Sequence, residues 1–111
     1  MKYMLMFCDQ PHDADFDDGL VARYVALQEE AERNGTFVTG APLQSAGTGA
    51  RVRVAEGETV VTDGPFAEAT DLLSGFFIID VPTRKDAIAF AARVPAAERG
   101  VVEVRPIWEH G

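Results

Sequence analysis

The chain has 111 residues, a length typical of one domain, and we expect a single domain over residues 1–111. Its formal net charge is −8 and it has no run of lysine or arginine. This argues against binding to nucleic acid or to an anionic membrane surface, because both need positive charge. No apolar stretch reaches the ~20 residues that span a bilayer, and the first residues form a strand pattern rather than a signal peptide, so we expect a cytoplasmic protein.

The chain contains one cysteine, Cys8. An intramolecular disulfide is therefore impossible, and one chain cannot supply a thiolate metal cage. The sequence contains neither a phosphate-binding loop nor a dinucleotide fingerprint, so we expect no cofactor.

Residues 2–8 are apolar at nearly every position, which predicts a central strand that is covered on both faces. Apolar residues at spacings of three and four predict a helix over 16–34, and Asn34-Gly35 ends it. A short strand over 36–43 is expected to break at Gly40 and Pro42.

Alternation predicts a hairpin whose strands are 51–54 and 59–62, with a turn at 56–58. Residues 75–81 form a second doubly apolar strand, and 101–108 alternate as a last strand with Val102, Val104 and Pro106 on one side.

A short helix is predicted between these last two strands. Thr83 and Asp86 match a capping box at its start, and it stops before Pro95. Its expected buried residues are Ala87, Ile88, Ala91 and Val94.

This order of elements predicts an α+β, ferredoxin-like split βαβ arrangement with an antiparallel sheet and an inserted hairpin. Both helices then cover one face of the sheet, although the two central strands are apolar on both faces. We therefore expect a homodimer in which two sheets stack into an α/β barrel.

The segment Asp63-Gly64-Pro65-Phe66 lies between apolar runs. Glycine tolerates the restriction that proline imposes, and proline suits the first turn of a helical segment over 67–71. Asp63 can accept backbone N–H groups at that helix start, so a turn with a cap is one interpretation of this motif.

The run VTDGPFAEATDLLSGFFIIDV, with DAIAFAARVPAAERGVVEVRPI and the initial MKYMLMF, closely resembles the DGPF branch of the YCII-related family. That resemblance implies a fold similar to dimeric ferredoxin-like barrels, which include muconolactone isomerase-like enzymes and cofactor-free monooxygenases. It also implies an active site with an Asp in a cleft beside the barrel. Genes of this branch often lie near extracytoplasmic-function sigma factors.

On this resemblance, the candidate catalytic residues are Asp63 and Glu68, and Phe66 and Arg105 are candidate substrate-binding residues. Tyr24 is a further candidate for substrate binding, as the most plausible polar group that the helix over 16–34 offers to a pocket. The helix over 16–34 lacks the histidine that the YCII type would pair with the Asp. An Arg105–Glu103 ion pair on the strand surface is the alternative role for that arginine.

The acidic stretch 9–19 is similar to a calcium loop only at first sight. With Asp13 as the first ligand, Asp18 stands where the turn glycine belongs and Tyr24 where the closing glutamate belongs. We interpret the stretch as charge at a helix N-terminus, and His12 as a solvated side chain. No metal site is expected.

The sequence thus favours a cofactor-independent enzyme of lyase or isomerase type that acts on a small organic molecule. The alternative is a non-catalytic module that senses a small molecule or binds a partner in sigma-factor regulation. A buried Asp63 with a free oxygen would favour the enzyme.

Overall fold

The structure is a computed structural model that describes residues 1–9, 18–44, 46–64 and 73–109. Its elements alternate in the predicted order, with one additional short helix and a 3-10 turn at Ala46–Thr48. The strands are β1 Lys2–Cys8, β2 Phe37–Pro42, β3 Ala50–Ala55, β4 Glu58–Asp63, β5 Leu73–Asp80 and β6 Val101–Pro106, and the helices are α1 Asp18–Arg33, α2 Arg84–Ala91 and α3 Ala96–Arg99.

The main sheet has four strands in the order β2-β5-β1-β6, and every neighbouring pair is antiparallel. The two strands that are apolar at nearly every position, β1 and β5, occupy its centre, as the sequence predicts. This mixed α+β arrangement with antiparallel sheets is consistent with the expected ferredoxin-like fold.

The core lies between the helices and one face of this sheet. Tyr3, Leu5 and Phe7 alternate along β1 on that face and are buried, and their partners across the core include Leu27 of α1 and Ala87 of α2. Small residues on α2 let the helix approach the sheet closely, and most of the stabilisation of these short helices comes from this packing.

Helix boundaries follow local chemistry. Gly35 adopts a left-handed φ of 71° directly after α1, which glycine tolerates without a steric penalty. At the start of α2, the Thr83 hydroxyl accepts a hydrogen bond from the Asp86 backbone N–H at 3.2 Å, which confirms the predicted cap. The prediction that Ile88 is buried is wrong, because Ile88 lies on the solvent side of α2.

Strand β2 does not break at Gly40 as expected but continues to Pro42. It lies at the edge of the sheet, where a proline is tolerated because its missing N–H can face away from the ladder. A Cβ on Gly40 would lie 2.6 Å from the Phe76 carbonyl oxygen and 2.6 Å from the Phe77 ring. Glycine is therefore needed for close packing there and does not end the strand.

The predicted hairpin forms as a separate two-stranded sheet of β3 and β4. Glu56 and Gly57, both with positive φ, make its turn, while Glu58 already belongs to β4. Its pairing register places Val52, Val54 and Val61 on one face, and all three are exposed. A two-stranded hairpin with an uncovered apolar face is marginally stable by itself in water.

The second face of the main sheet is apolar too. Met4 and Met6 of β1, with Phe76 and Ile78 of β5, point away from the helix-covered face and remain only half-buried. We call these four residues the open face. No helix in the described ranges covers it.

Candidate active site

A cavity of about 210 Å³ lies between α1, the end of β2 and the start of β5. Its walls are mainly apolar, and its lining includes Phe7, Val21, Tyr24, Val25, Ser74 and Phe77. This volume is below the ~300–1,000 Å³ of sites for drug-sized ligands. An apolar cavity of about 150 Å³ already holds benzene, so the space suits a small ring with a few substituents.

Aromatic rings form much of the cavity wall. The Phe7 ring lies 5.6 Å from the Tyr24 ring and 5.1 Å from the Phe77 ring, measured between centroids. Phe77 is held edge-on by Phe37 at 5.2 Å as well. Such contacts fix the rings in place, so the wall is preorganised for a flat ligand.

The polar end of the cavity is created by an irregularity in β5. Phe7 pairs with Gly75 and Cys8 pairs with Leu73, so Ser74 is an extra residue that bulges out of the ladder. Its hydroxyl lies within hydrogen-bonding distance of an Asp9 carboxylate oxygen and 3.2 Å from the Phe7 carbonyl oxygen. Ser74 thus connects the cavity to a carboxylate behind it.

Asp9 is only 2% exposed, which is unusual for a carboxylate, and β5, α3 and the residue that follows α3 surround it. Ser74 of β5 donates to one of its oxygens, and Arg99 of α3 lies 3.7 Å from the other. The chain approaches Asp9 so closely at Gly100 that a Cβ there would lie 2.3 Å from the Cys8 carbonyl oxygen. The location of Asp9 is therefore closely defined.

Burial also changes the pKa values of two groups close to Asp9, the Tyr24 hydroxyl and the Cys8 thiol. Burial raises the pKa of Tyr24 to about 12, and the negative charge of Asp9 contributes in the same direction. Burial also raises the pKa of the Cys8 thiol, assisted by Glu103 and Asp9. Tyr24 consequently stays a neutral hydroxyl at the cavity throughout the physiological pH range.

A second, more open depression lies between α1 and the segment that follows α2. Two of its arginines already have carboxylate partners, since Arg93 pairs with Glu30 and Arg23 pairs with Glu98 at 2.8 Å. We therefore regard the first cavity as the better candidate for a ligand.

The predicted site residues are separated in the structure of one chain. Tyr24 lines the cavity, whereas Asp63 is exposed at the end of β4. Arg105 of β6 pairs with Met4 of β1, so it lies on the open-face side of the sheet. Its Nη2 atom is 2.9 Å from Oε2 of Glu103. Phe66 and Glu68 lie outside the described residues.

Sequence reasoning missed Asp9, Ser74 and Arg99. Asp9 directly follows a central strand, but it opens an acidic stretch that we interpreted as helix-terminal charge. The bulge that turns Ser74 toward Asp9 depends on strand pairing, and no local pattern predicts it. Arg99 belongs to α3, a helix that the sequence analysis did not predict.

No group of three or more His, Cys, Asp or Glu side chains with metal-binding geometry occurs within 1–9, 18–44, 46–64 and 73–109. Among the helices of these same ranges, none has the length and apolar character needed to cross a bilayer.

The fold and the cavity together define an α+β protein with a ferredoxin-like sheet and a buried carboxylate beside a small apolar site. The profile of the YCII-related domain matches residues 1–110, and the chain belongs to this family. An uncharacterized protein of Rhizobium meliloti (strain 1021) is 34% identical over 93 residues, which is 82% of this chain and 75% of that protein.

Among solved structures, the chain is similar to 5-chloro-2-hydroxyhydroquinone dehydrochlorinase (TftG) from Burkholderia phenoliruptrix AC1100 in complex with 2,5-dihydroxybenzoquinone. The TM-score is 0.55 and the identity is 16%, with 100% of this chain and 96% of the other covered. At this identity the similarity concerns the fold.

Proposed function

We propose that this protein is a cofactor-independent enzyme of lyase or isomerase type that acts on a small organic molecule bound in the cavity. The observation that carries the proposal is the cavity itself, whose aromatic walls meet Ser74 at one end, with the buried Asp9 carboxylate hydrogen-bonded behind it. Buried ionisable groups beside an apolar cleft are a common feature of active sites. The dehydrochlorinase with a related fold, crystallised with a small quinone, supports a small-molecule reaction.

Tyr24 fits the predicted substrate-binding role, because its ring lines the cavity. The catalytic roles of Asp63 and Glu68, and the substrate-binding roles of Phe66 and Arg105, stay predictions. A single domain over 1–111 and a cytoplasmic location are also part of the proposal and stay predictions.

Filling the mouth of the cavity tests this site. Val25 lines it from α1 and is 47% exposed, so a tryptophan there can occupy the opening without disturbing the core. We expect Val25→Trp to weaken binding of ring-sized probes such as phenol, catechol and benzoate roughly tenfold or more, a loss of about 1.4 kcal/mol. Saturation-transfer NMR and calorimetry measure this binding.

Ile88→Trp is the matched control, since Ile88 of α2 is 43% exposed and does not line the cavity. If Val25→Trp and Ile88→Trp weaken binding equally, the ligand binds outside this cavity. Binding without turnover of any bound compound would favour the small-molecule sensing module instead.

We also propose that the protein is a homodimer built on the open face. The open face is one half-buried apolar surface, formed by Met4, Met6, Phe76 and Ile78. The hairpin between β2 and β5 has a second apolar surface, with Val52, Val54 and Val61 exposed. A second copy of the chain offers the same surfaces, which is the requirement for a two-fold interface.

Ile78→Asp is expected to convert the dimer to a folded monomer, because an aspartate would be desolvated at the interface but tolerated in the half-exposed monomer. Light scattering at micromolar concentration measures the mass. The surface control Ile88→Asp should remain dimeric. A wild-type monomer would contradict the stacked sheets.

A further inference from the structure

We propose that Ser74 and Asp9 form a proton relay at the polar end of the cavity, with Ser74 touching the ligand and Asp9 receiving the proton. The inference deepens the proposed function and rests on it. It assigns the proton acceptor to a residue pair outside the DGPF segment.

The geometry places the two groups in series. Ser74 lines the cavity, and its hydroxyl hydrogen-bonds to Asp9, which does not line it. Asp9 is 2% exposed, and the Ser74 hydroxyl connects its carboxylate to the cavity. Ser74 is therefore the catalytic residue and Asp9 the positioning and proton-accepting residue.

The step involves proton transfers alone. The O–H bond of a ligand hydroxyl breaks, and its proton passes to Ser74 Oγ. The original hydroxyl proton of Ser74 passes at the same time to Asp9 Oδ1. The products are a ligand anion, an unchanged serine and a neutral aspartic acid, and no electrons are exchanged.

The surroundings satisfy both states of the relay. Before transfer, the Ser74 hydroxyl donates to Asp9. After transfer, the protonated Asp9 donates to Ser74 Oγ, and the Ser74 hydroxyl donates to the ligand anion; without a ligand, that hydroxyl also lies 3.2 Å from the Phe7 carbonyl oxygen. A serine hydroxyl has one proton and two acceptor positions, so neither state leaves a buried polar group without a partner.

The groups facing Asp9 decide the class of ligand. Within residues 1–9, 18–44, 46–64 and 73–109 they are Arg99 from α3, Tyr24 from α1 and Cys8 from β1, together with the neutral Ser74 from β5. Tyr24 and Cys8 have raised pKa values, so neither competes as a base near neutral pH. Aromatic walls with a relay at one end fit a planar ring that bears an ionisable hydroxyl group, such as a phenol or an enol.

Proton uptake on binding of 4-nitrophenol tests the relay. At a pH where the free probe is a phenolate, we expect the wild-type site to take up about one proton per probe, because the bound anion and Asp9 share a proton as a coupled pair. Isothermal titration calorimetry in buffers of different ionisation enthalpy gives this number. Asp9→Asn should bind the probe with clearly lower uptake, the remainder coming from desolvation of the phenolate in the apolar cavity.

Variants of Ser74 separate the relay from simple charge repulsion. Ser74→Ala removes the hydroxyl that connects the probe to Asp9, so uptake should fall to the level of Asp9→Asn, whereas Ser74→Thr keeps the hydroxyl and should restore wild-type uptake. Asp80→Asn, which changes an exposed carboxylate at the other end of β5, should keep the wild-type uptake. If Asp9→Asn does not fold, as judged by circular dichroism, the two Ser74 variants decide.

The outcomes distinguish the two proposals. No binding to the wild type, or binding that Val25→Trp leaves unchanged, would overturn the proposed function and the relay together. Binding that Val25→Trp blocks, with equal proton uptake in wild type, Asp9→Asn and Ser74→Ala, would overturn the relay alone.

Discussion

Replacing Ile79 with alanine is expected to lower the free energy of unfolding by about 2–5 kcal/mol, since it leaves a cavity at a position where the surroundings cannot collapse. Ile79 is 0% exposed near the C-terminal end of β5, opposite Tyr3 of β1. A domain of this size has a total stability of about 5–15 kcal/mol, so the variant loses a large part of it. Urea denaturation followed by circular dichroism measures the change.

The matched control is Ile88→Ala, the same substitution at a position of α2 that is 43% exposed. Little apolar surface is removed from the core there, and alanine favours a helix, so the change should stay within about 0.5 kcal/mol. Equal losses in the two variants would contradict the core that the structure defines.

Replacing Gly100 with alanine is expected to destabilise the protein by about 3 kcal/mol, at the upper end of the usual cost of overpacking. The new Cβ would lie 2.3 Å from the Cys8 carbonyl oxygen and 3.0 Å from the Asp9 Cα. Both are backbone atoms, which cannot rotate away as a side chain does. The end of β1 must therefore shift, and Asp9 shifts with it, so we expect a lower denaturation midpoint and a lower proton uptake on probe binding.

Gly57→Ala provides the comparison for this second variant. Gly57 has a φ of +80°, but no atom lies within 4 Å of the added Cβ. Its cost is the left-handed backbone alone, about 1–2 kcal/mol, and it lies far in the sequence from Asp9. A Gly100→Ala protein as stable as the wild type would show that this close approach is not required.

Most elements could be predicted because their signals are local. β1 and β5 have apolar residues on both faces, Gly35 follows α1 in the left-handed region, and Thr83 caps α2. Two predictions were wrong for tertiary reasons. Gly40 remains within β2 because the Phe77 ring packs against it, and Ile88 faces solvent although its spacing matches the buried stripe.

The candidate site was only partly predictable. Tyr24, which the sequence suggested as a polar group of the site, lies in the cavity lining, and its substrate-binding role stays a prediction. Asp9 and Ser74 are distant in the sequence, and they meet only because a bulge in β5 shifts the register beside the end of β1. No local sequence pattern indicates that shift, so the contact between Asp9 and Ser74 could not be predicted without the strand pairing.

The separate sheet of β3 and β4 also affects how this protein can vary. Its ladder is hydrogen-bonded within itself, and the four strands of the main sheet pair without it. Adding one residue to each of β3 and β4 would lengthen the hairpin and move the side chains beyond the insertion to its other face. The strands of the main sheet would keep every pairing. A change of hairpin length within 50–63 would therefore leave the strand pairing of the main sheet and the cavity lining unchanged.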